Sequence, residues 1–185
     1  MEKKVLVVVD YQNDFVTGAL GFEDAIKLES GIAKLIEEYH KNDDIVICTM
    51  DTHNSDYLNT EEGKNLPVEH CIEDSYGWEL YGSVGEIAKK YRLTCITKPT
   101  FPSDELMIEL RSINQKMKFD KQCEITEIAL CGIVTNMCVI SNAVVAKMAL
   151  PNAHIKVHKD LCASFDKEMH NKAIDVMQSM QMEIV

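Results

Sequence analysis

The run Lys4-Val-Leu-Val-Val-Val9 narrows the fold more than any other stretch of this chain. It is continuously aliphatic, with no alternation of polar and apolar residues. A strand of that kind is covered on both faces, as in a parallel sheet lined by helices. The run ends abruptly at Asp10, and the pattern of apolar run and polar stop recurs along the sequence. Ile45 to Met50 stops at Asp51-Thr-His53, and Leu93 to Thr97 stops at Lys98-Pro99. Ile128 to Cys131 stops at a turn on Gly132, His154 to His158 is followed by Asp160, and Met182 to Val185 closes the chain.

Helical spacing fills the intervals. Ile32, Leu35, Ile36 and Tyr39 predict a helix from about Glu23 to Lys41. A short helix is expected over Val84 to Tyr91. Ser103 opens another, with Asp104 and Glu105 in its first turn and a buried stripe of Leu106, Leu110, Ile113 and Met117. Lys116 to Glu124 reads as a charged surface connection. A helix opening near Asn136 runs to Pro151-Asn152, and Ala173, Val176, Met177 and Met180 mark the last one. Asn54 to Gly82 has no strong periodicity. A polar loop of that length inside a compact domain is more often functional than idle.

Six strands alternating with helices predict an α/β fold: a three-layer sandwich with a six-stranded, mostly parallel sheet. At 185 residues, one domain spanning 1–185 is the simplest organisation. A net charge of −11 without a run of Lys or Arg argues against a nucleic-acid partner. No apolar stretch reaches the roughly 18 residues of a membrane span, and the N-terminus lacks the pattern of a secretory signal. Seven cysteines, an odd number with no C-x-x-C, fit separate thiols in a reducing cytoplasm better than a disulfide framework.

In a parallel α/β sheet, ligands bind beyond the carboxyl ends of the strands. The polar residues just past successive strands therefore form one candidate rim: Asp10, Asp51 with His53, Lys98, the turn from Thr135 to Cys138, and Asp160. A thiol in the first turn of a helix meets unpaired N–H groups and the positive end of the peptide dipoles, which favour thiolate. A packed core cysteine is the alternative at that position. Asp10 could return a proton to a leaving amine and Lys98 could stabilise both anions. Alone, Asp10 is equally a cap or surface acid, and Lys98 a solvated cation. Asp51 and His53, two residues apart on extended chain, face the same way; with His70, and Glu62 or Glu61 from the long loop, they suit Zn²⁺ or Fe²⁺. The alternative is a loop-anchoring His53 and a surface His70. Neither G-x-G-x-x-G nor a P-loop motif occurs.

These pieces together resemble the isochorismatase-like cysteine hydrolases, and within them the nicotinamidase branch. The matching segments are Val8-Val-Asp10-Tyr-Gln-Asn-Asp-Phe15, Thr49-Met-Asp51-Thr-His53, Pro67-Val-Glu-His70-Cys71, Thr97-Lys98-Pro-Thr-Phe101, Gly132-Ile-Val-Thr-Asn-Met-Cys138 and Asp160-Leu-Cys-Ala-Ser164 with His170. The resemblance implies a Cys138 nucleophile, an Asp10 proton shuttle and a Lys98 electrostatic partner. It implies a cis bond between Ile133 and Val134, with the Val134 and Cys138 N–H groups serving an oxyanion. It also implies a metal on Asp51, His53 and His70 that binds a pyridine nitrogen, Phe15 and Phe101 flanking the ring, a small-molecule amide substrate and a homo-oligomer. Two departures stand out: the segment before His70 lacks the aromatic residue that often closes the ring pocket, and the fourth metal ligand is open between Glu62, Glu61 and solvent. A metal-free amidase acting on a ureido or carbamoyl compound is the alternative within the family. A ligand-binding protein on this fold and a thiol redox protein are the alternatives outside it.

Overall fold

The structure, a computed structural model, describes residues 2–121 and 123–185. In chain order the elements are β1 (Glu2–Val9), α1 (Asn13–Val16), α2 (Glu23–Ile26), α3 (Glu29–Lys41), β2 (Ile45–Asp51), α4 (Glu61–Asn65), α5 (Gly82–Tyr91) and β3 (Thr94–Lys98). There follow α6 (Asp104–Lys121), β4 (Glu124–Ile133), α7 (Ile140–Ala149), β5 (His154–Ala163), α8 (Lys167–Ser179) and β6 (Glu183–Ile184).

The strands form one sheet in the order β3-β2-β1-β4-β5-β6, and every pairing between its described strands is parallel. β1 shows why its aliphatic run is uninterrupted. Val5, Val7 and Val9 enter a core shared with Leu106 of α6, Ala143 of α7 and Met177 of α8, while Leu6 and Val8 enter a second core with Ile32 and Ile36 of α3 and Val84 of α5. A polar side chain at any of these positions would be buried without a partner. The strand order reverses direction between β1 and β4, and such a switch point leaves a crevice at the carboxyl edge. Asp10 leaves β1 and the Thr135 turn leaves β4 at that crevice. Gly132, at φ +115°, is required there, because a Cβ would strike the Val9 carbonyl.

Several boundaries differ from the sequence reading. The helix expected over 23–41 is two, with a turn at Lys27-Leu28 between α2 and α3. Residues 116–121 continue α6 and β4 begins at Glu124, so the expected charged connection is helix end and strand start. β5 runs on to Ala163, where it pairs with Ile133. Asp160 thus lies within a strand and outside the rim, a correction that follows from a strand longer than its apolar run. The stretch 54–82 carries a 3₁₀ turn, Tyr57–Asn59, and α4, whose N-cap Thr60 accepts from the Gly63 N–H.

Candidate active site

Lys98, the last residue of β3, sits at the centre of the rim with 1 % of its surface exposed. Its Nζ lies 2.7 Å from Asp10 Oδ2 and 3.2 Å from Asp51 Oδ1, donates to the Thr100 carbonyl at 3.0 Å and reaches Cys138 Sγ at 3.5 Å. Three strands and the turn after β4 thereby converge on one amine. Asp10 stands in the left-handed region at φ +47°. Its N–H donates to the Thr49 carbonyl at 3.1 Å and its Oδ1 accepts from the Thr49 hydroxyl at 2.6 Å. Oδ2 faces Lys98 as an ion pair and has no aligned hydrogen-bond donor, which leaves it able to take a proton.

The electrostatics differ from a simple thiolate site. Burial, seconded by the Asp10 charge, pushes the Cys138 thiol well up, and the Lys98 charge only partly opposes this. Burial also raises Asp10, against the pull of Lys98. Burial disfavours a charged Lys98, yet Asp10, Cys138 and Asp51 together hold the amine charged above its ordinary range. With Cys138 only 4 % exposed, burial thus works against the thiolate that the helix terminus and Lys98 favour. Two anions beside Asp51 would overwhelm one ammonium, so Asp10 and Cys138 retain one proton between them. Passing that proton from sulfur to carboxylate leaves the net charge unchanged.

Cys138 occupies a wide turn, Thr135–Val139, closed by Val139 N–H donating to the Val134 carbonyl at 3.1 Å, and regular α-helix starts only at Ile140. The Ile133–Val134 bond is cis, as the resemblance implies. Asn142, one helical turn on, ties the segment down. Its Nδ2 donates to the Cys138 carbonyl at 2.8 Å and the Phe101 carbonyl at 3.0 Å, and its Oδ1 accepts from Ser103 N–H at 3.1 Å.

Asp51 joins this centre to a second. Its Oδ2 lies 3.0 Å from His53 Nε2 and 3.3 Å from His70 Nε2, and Glu62 Oε1 is 3.8 Å from His53 Nε2. The four donor atoms lie within 4.8 Å of one another. His70 Nδ1 donates to the Val68 carbonyl at 2.8 Å, so the neutral ring turns an Nε2 lone pair toward a carboxylate oxygen. Two acceptors facing each other at that range fit a cation between them. Glu62, not Glu61, belongs to the set; Glu61 points to solvent beside Lys64. Burial opposes ionisation of Asp51, but where the imidazoles donate to it instead, those hydrogen bonds and the Lys98 charge hold it well below the usual carboxylate range.

The segment after β1 anchors the long loop that brings His70 here. Gln12 clamps the Asp51 backbone, donating to its carbonyl at 2.9 Å and accepting from its N–H at 2.8 Å. Asp14 accepts from the Cys71 N–H at 2.8 Å. Phe15 packs on His70 at 5.4 Å between ring centroids, and the buried Tyr57 ring lies 4.6 Å from His53 and 4.9 Å from His70. Phe101 stands at the rim, about a third exposed, at 36 %. Gln12, Thr49, Tyr57 and Asn142 escaped the sequence reading. Only Asn142 carried a usable signal, its i+4 spacing from Cys138.

Fold and rim define a doubly wound α/β protein with a buried carboxylate–amine–thiol centre next to a two-histidine, two-carboxylate cluster. Residues 4–185 match the family model described as the isochorismatase domain, and the chain belongs to that family. It is 30% identical to the uncharacterized isochorismatase family protein PncA of Bacillus subtilis (strain 168), over 93% of this chain and 92% of that one. Among solved structures it is similar to nicotinamidase PncA from Bacillus subtilis, with a TM-score of 0.84, 28% identity and 99% of both chains covered. It is likewise similar to the pyrazinamidase/nicotinamidase from Streptococcus mutans UA159, with a TM-score of 0.85, 25% identity and 99% and 100% covered.

Proposed function

We propose that this protein is a cysteine amidohydrolase that converts nicotinamide to nicotinate and ammonia through a thioester on Cys138. The observation that carries the reading is the single Lys98 amine in contact with Asp10, Asp51 and Cys138. The relatives named nicotinamidase and pyrazinamidase support a carboxamide-hydrolysing class. In the first half-reaction Asp10 takes the thiol proton as sulfur attacks the amide carbon. Lys98 balances the negative charge that remains, and the N–H groups of Val134 and Cys138 receive the carbonyl oxygen as it becomes an oxyanion. Loss of one such donor typically costs about 10²–10³ in rate. Asp10 then hands its proton to the departing nitrogen and ammonia leaves; a water deprotonated by Asp10 attacks the thioester, the C–S bond breaks to release nicotinate, and Asp10 returns its proton to the Cys138 sulfur.

Asp51, His53, His70 and Glu62 would hold a divalent cation, zinc or ferrous iron by the chemistry of the donor set. Bound there, such a cation supplies a coordination position for a ring nitrogen. Phe15 and Phe101 flank the ring and limit its tilt. The reaction is one step of NAD salvage, in keeping with a cytoplasmic chain of free thiols that assembles with copies of itself.

The test is ammonia release from nicotinamide, with Cys138→Ala and Asp10→Asn inactive and wild-type protein active. Turnover of a ureido compound but not of nicotinamide would transfer the site to a metal-free amidase. A metal content below about a tenth of an equivalent, unchanged after addition of Zn²⁺ or Fe²⁺, would also count against nicotinamide. The His-carboxylate cluster favours the first reading over the second.

A further inference from the structure

Two cysteines that the proposed chemistry leaves unused face each other across the outer edge of the sheet. Cys48 on β2 and Cys95 on β3 are register partners, and β3 is the edge strand. Neighbouring strands run about 4.8 Å apart, within the roughly 4.4–6.8 Å that Cα atoms span in disulfides. Cys48 is fully buried, whereas Cys95 is exposed. Cys48 packs into the core beneath α3 and α5. Asp51, three residues on and thus of opposite parity, turns to the other face, so the pair is separate from the site around Cys138.

Cys95 also lines a groove of about 400 Å³ shared with Met50, Leu80, Ala88 and Leu93 and with the cations Lys89 and Arg92. A groove of that size admits a peroxide or a small organic electrophile. The hydrogen bond from the Cys48 thiol lowers Cys95 to about 7 against the opposing effect of burial, while Cys48 itself is raised well up, first by that same hydrogen bond. The long 3.7 Å contact from Cys95 Sγ to the Leu93 carbonyl is too weak to hold the proton in place. Within one pair, one sulfur is open to solvent and to the groove and the other is enclosed.

The geometry points to a thiol modification site in which Cys95 reacts with hydrogen peroxide and Cys48 resolves the product as an intramolecular disulfide. The Cys95 thiolate attacks one peroxide oxygen, so that an S–O bond forms, the O–O bond breaks, and the departing hydroxide takes a proton to become water. The Cys48 sulfur then attacks the Cys95 sulfur. An S–S bond forms, the S–O bond breaks, and the second water leaves with the Cys48 proton. Two thiols are oxidised by two electrons and the peroxide is reduced to two waters.

The experiment treats the full chain with a small excess of hydrogen peroxide and maps every cysteine by peptide mass spectrometry. A Cys48–Cys95 cross-link should form before any other cysteine is modified. In Cys48→Ala the cross-link should be replaced by a Cys95 sulfenic acid that dimedone traps. Alkylation of Cys95 by iodoacetamide should reach half its maximal rate near pH 7 in the wild type. In Cys48→Ala that midpoint should move up toward the ordinary thiol value of about 8.5. Cys95 remaining reduced while another cysteine reacts first would overturn the inference. So would a midpoint unchanged in Cys48→Ala, which needs no disulfide to form. Neither result bears on hydrolysis at Cys138.

Discussion

Replacing Lys98 by Met removes the buried ammonium that faces both Asp10 and Asp51. Asp10 is fully buried, and with Lys98 gone its remaining contacts are the Thr49 hydroxyl and the thiol. Burial already raises it above the ordinary 3.8 with the ammonium present. Without the ammonium, which opposes that rise, it moves further up and keeps its proton to higher pH. A carboxyl held neutral to pH 7 loses stability over about 3 pH units at about 1.4 kcal/mol each, a ceiling near 4 kcal/mol. That ceiling agrees with the roughly 3–5 kcal/mol typical of breaking a buried ion pair from one side. The sign follows from the raised folded pKa. The native state binds the extra proton, so the deficit is absent below about pH 4 and grows as pH rises until Asp10 ionises. The assay is denaturant unfolding of wild type and Lys98→Met at pH 5 and pH 8, in chelator so that metal binding does not contribute. The difference should widen by about 1 kcal/mol or more between those pH values, and ammonia release should fall at least about 10³-fold. A pH-independent difference, or one below about 1 kcal/mol throughout, would refute the reasoning.

Other substitutions probe neighbouring parts of the site. Gln12→Ala frees the Asp51 backbone without touching a donor atom, and should weaken zinc binding about 10–100-fold in a competition titration with a chromophoric chelator. His53→Ala should raise KM for nicotinamide far more than it lowers the alkylation rate of Cys138, because the cluster is proposed to orient substrate. Asn142→Ala deletes three hydrogen bonds and strands the buried Ser103 N–H and Cys138 carbonyl, which should cost about 2–4 kcal/mol in chemical denaturation. The acid limb of kcat/KM should fall above pH 4, since Asp10 must be ionised to accept the thiol proton and burial raises it from 3.8.

What could be read from the sequence and what could not divides along physical lines. Val5 to Val9 announce a doubly covered strand because no other environment accepts five aliphatic residues in succession, and Asp10, Asp51 and Lys98 stand out as the first polar residues beyond such strands. The Ile133–Val134 cis bond came through the family resemblance and not through periodicity, whereas His70 stood out as a metal-ligating side chain on the long loop. The burial of the Cys138 thiol and the Asp10 charge beside it could not be read from helix position, which is local, because both are assembled from distant segments. Glu62 could not be told from Glu61, since α4 is only five residues long and too short to show a periodic face. Asp160 was misplaced because β5 continues through Lys159 and Asp160, polar residues tolerated where the strand meets solvent. Tyr57, held by its hydroxyl on the Leu66 carbonyl at 2.9 Å, lies in a loop whose course nothing local dictates.

The two oxygens of Asp51 serve different masters, one turned to Lys98 and the other to the imidazoles. Chelation and sulfur protonation therefore share a common ledger of charge. Loading the cluster with a dication offsets the Asp51 anion that raises the Cys138 thiol, and so eases proton loss from sulfur. Reciprocity requires that an ionised sulfur, in turn, grip the cluster's ion more tightly by the same factor. If the cluster holds the proposed cation, its removal would thus impair the chain twice, in seating the proposed substrate and in arming the proposed nucleophile.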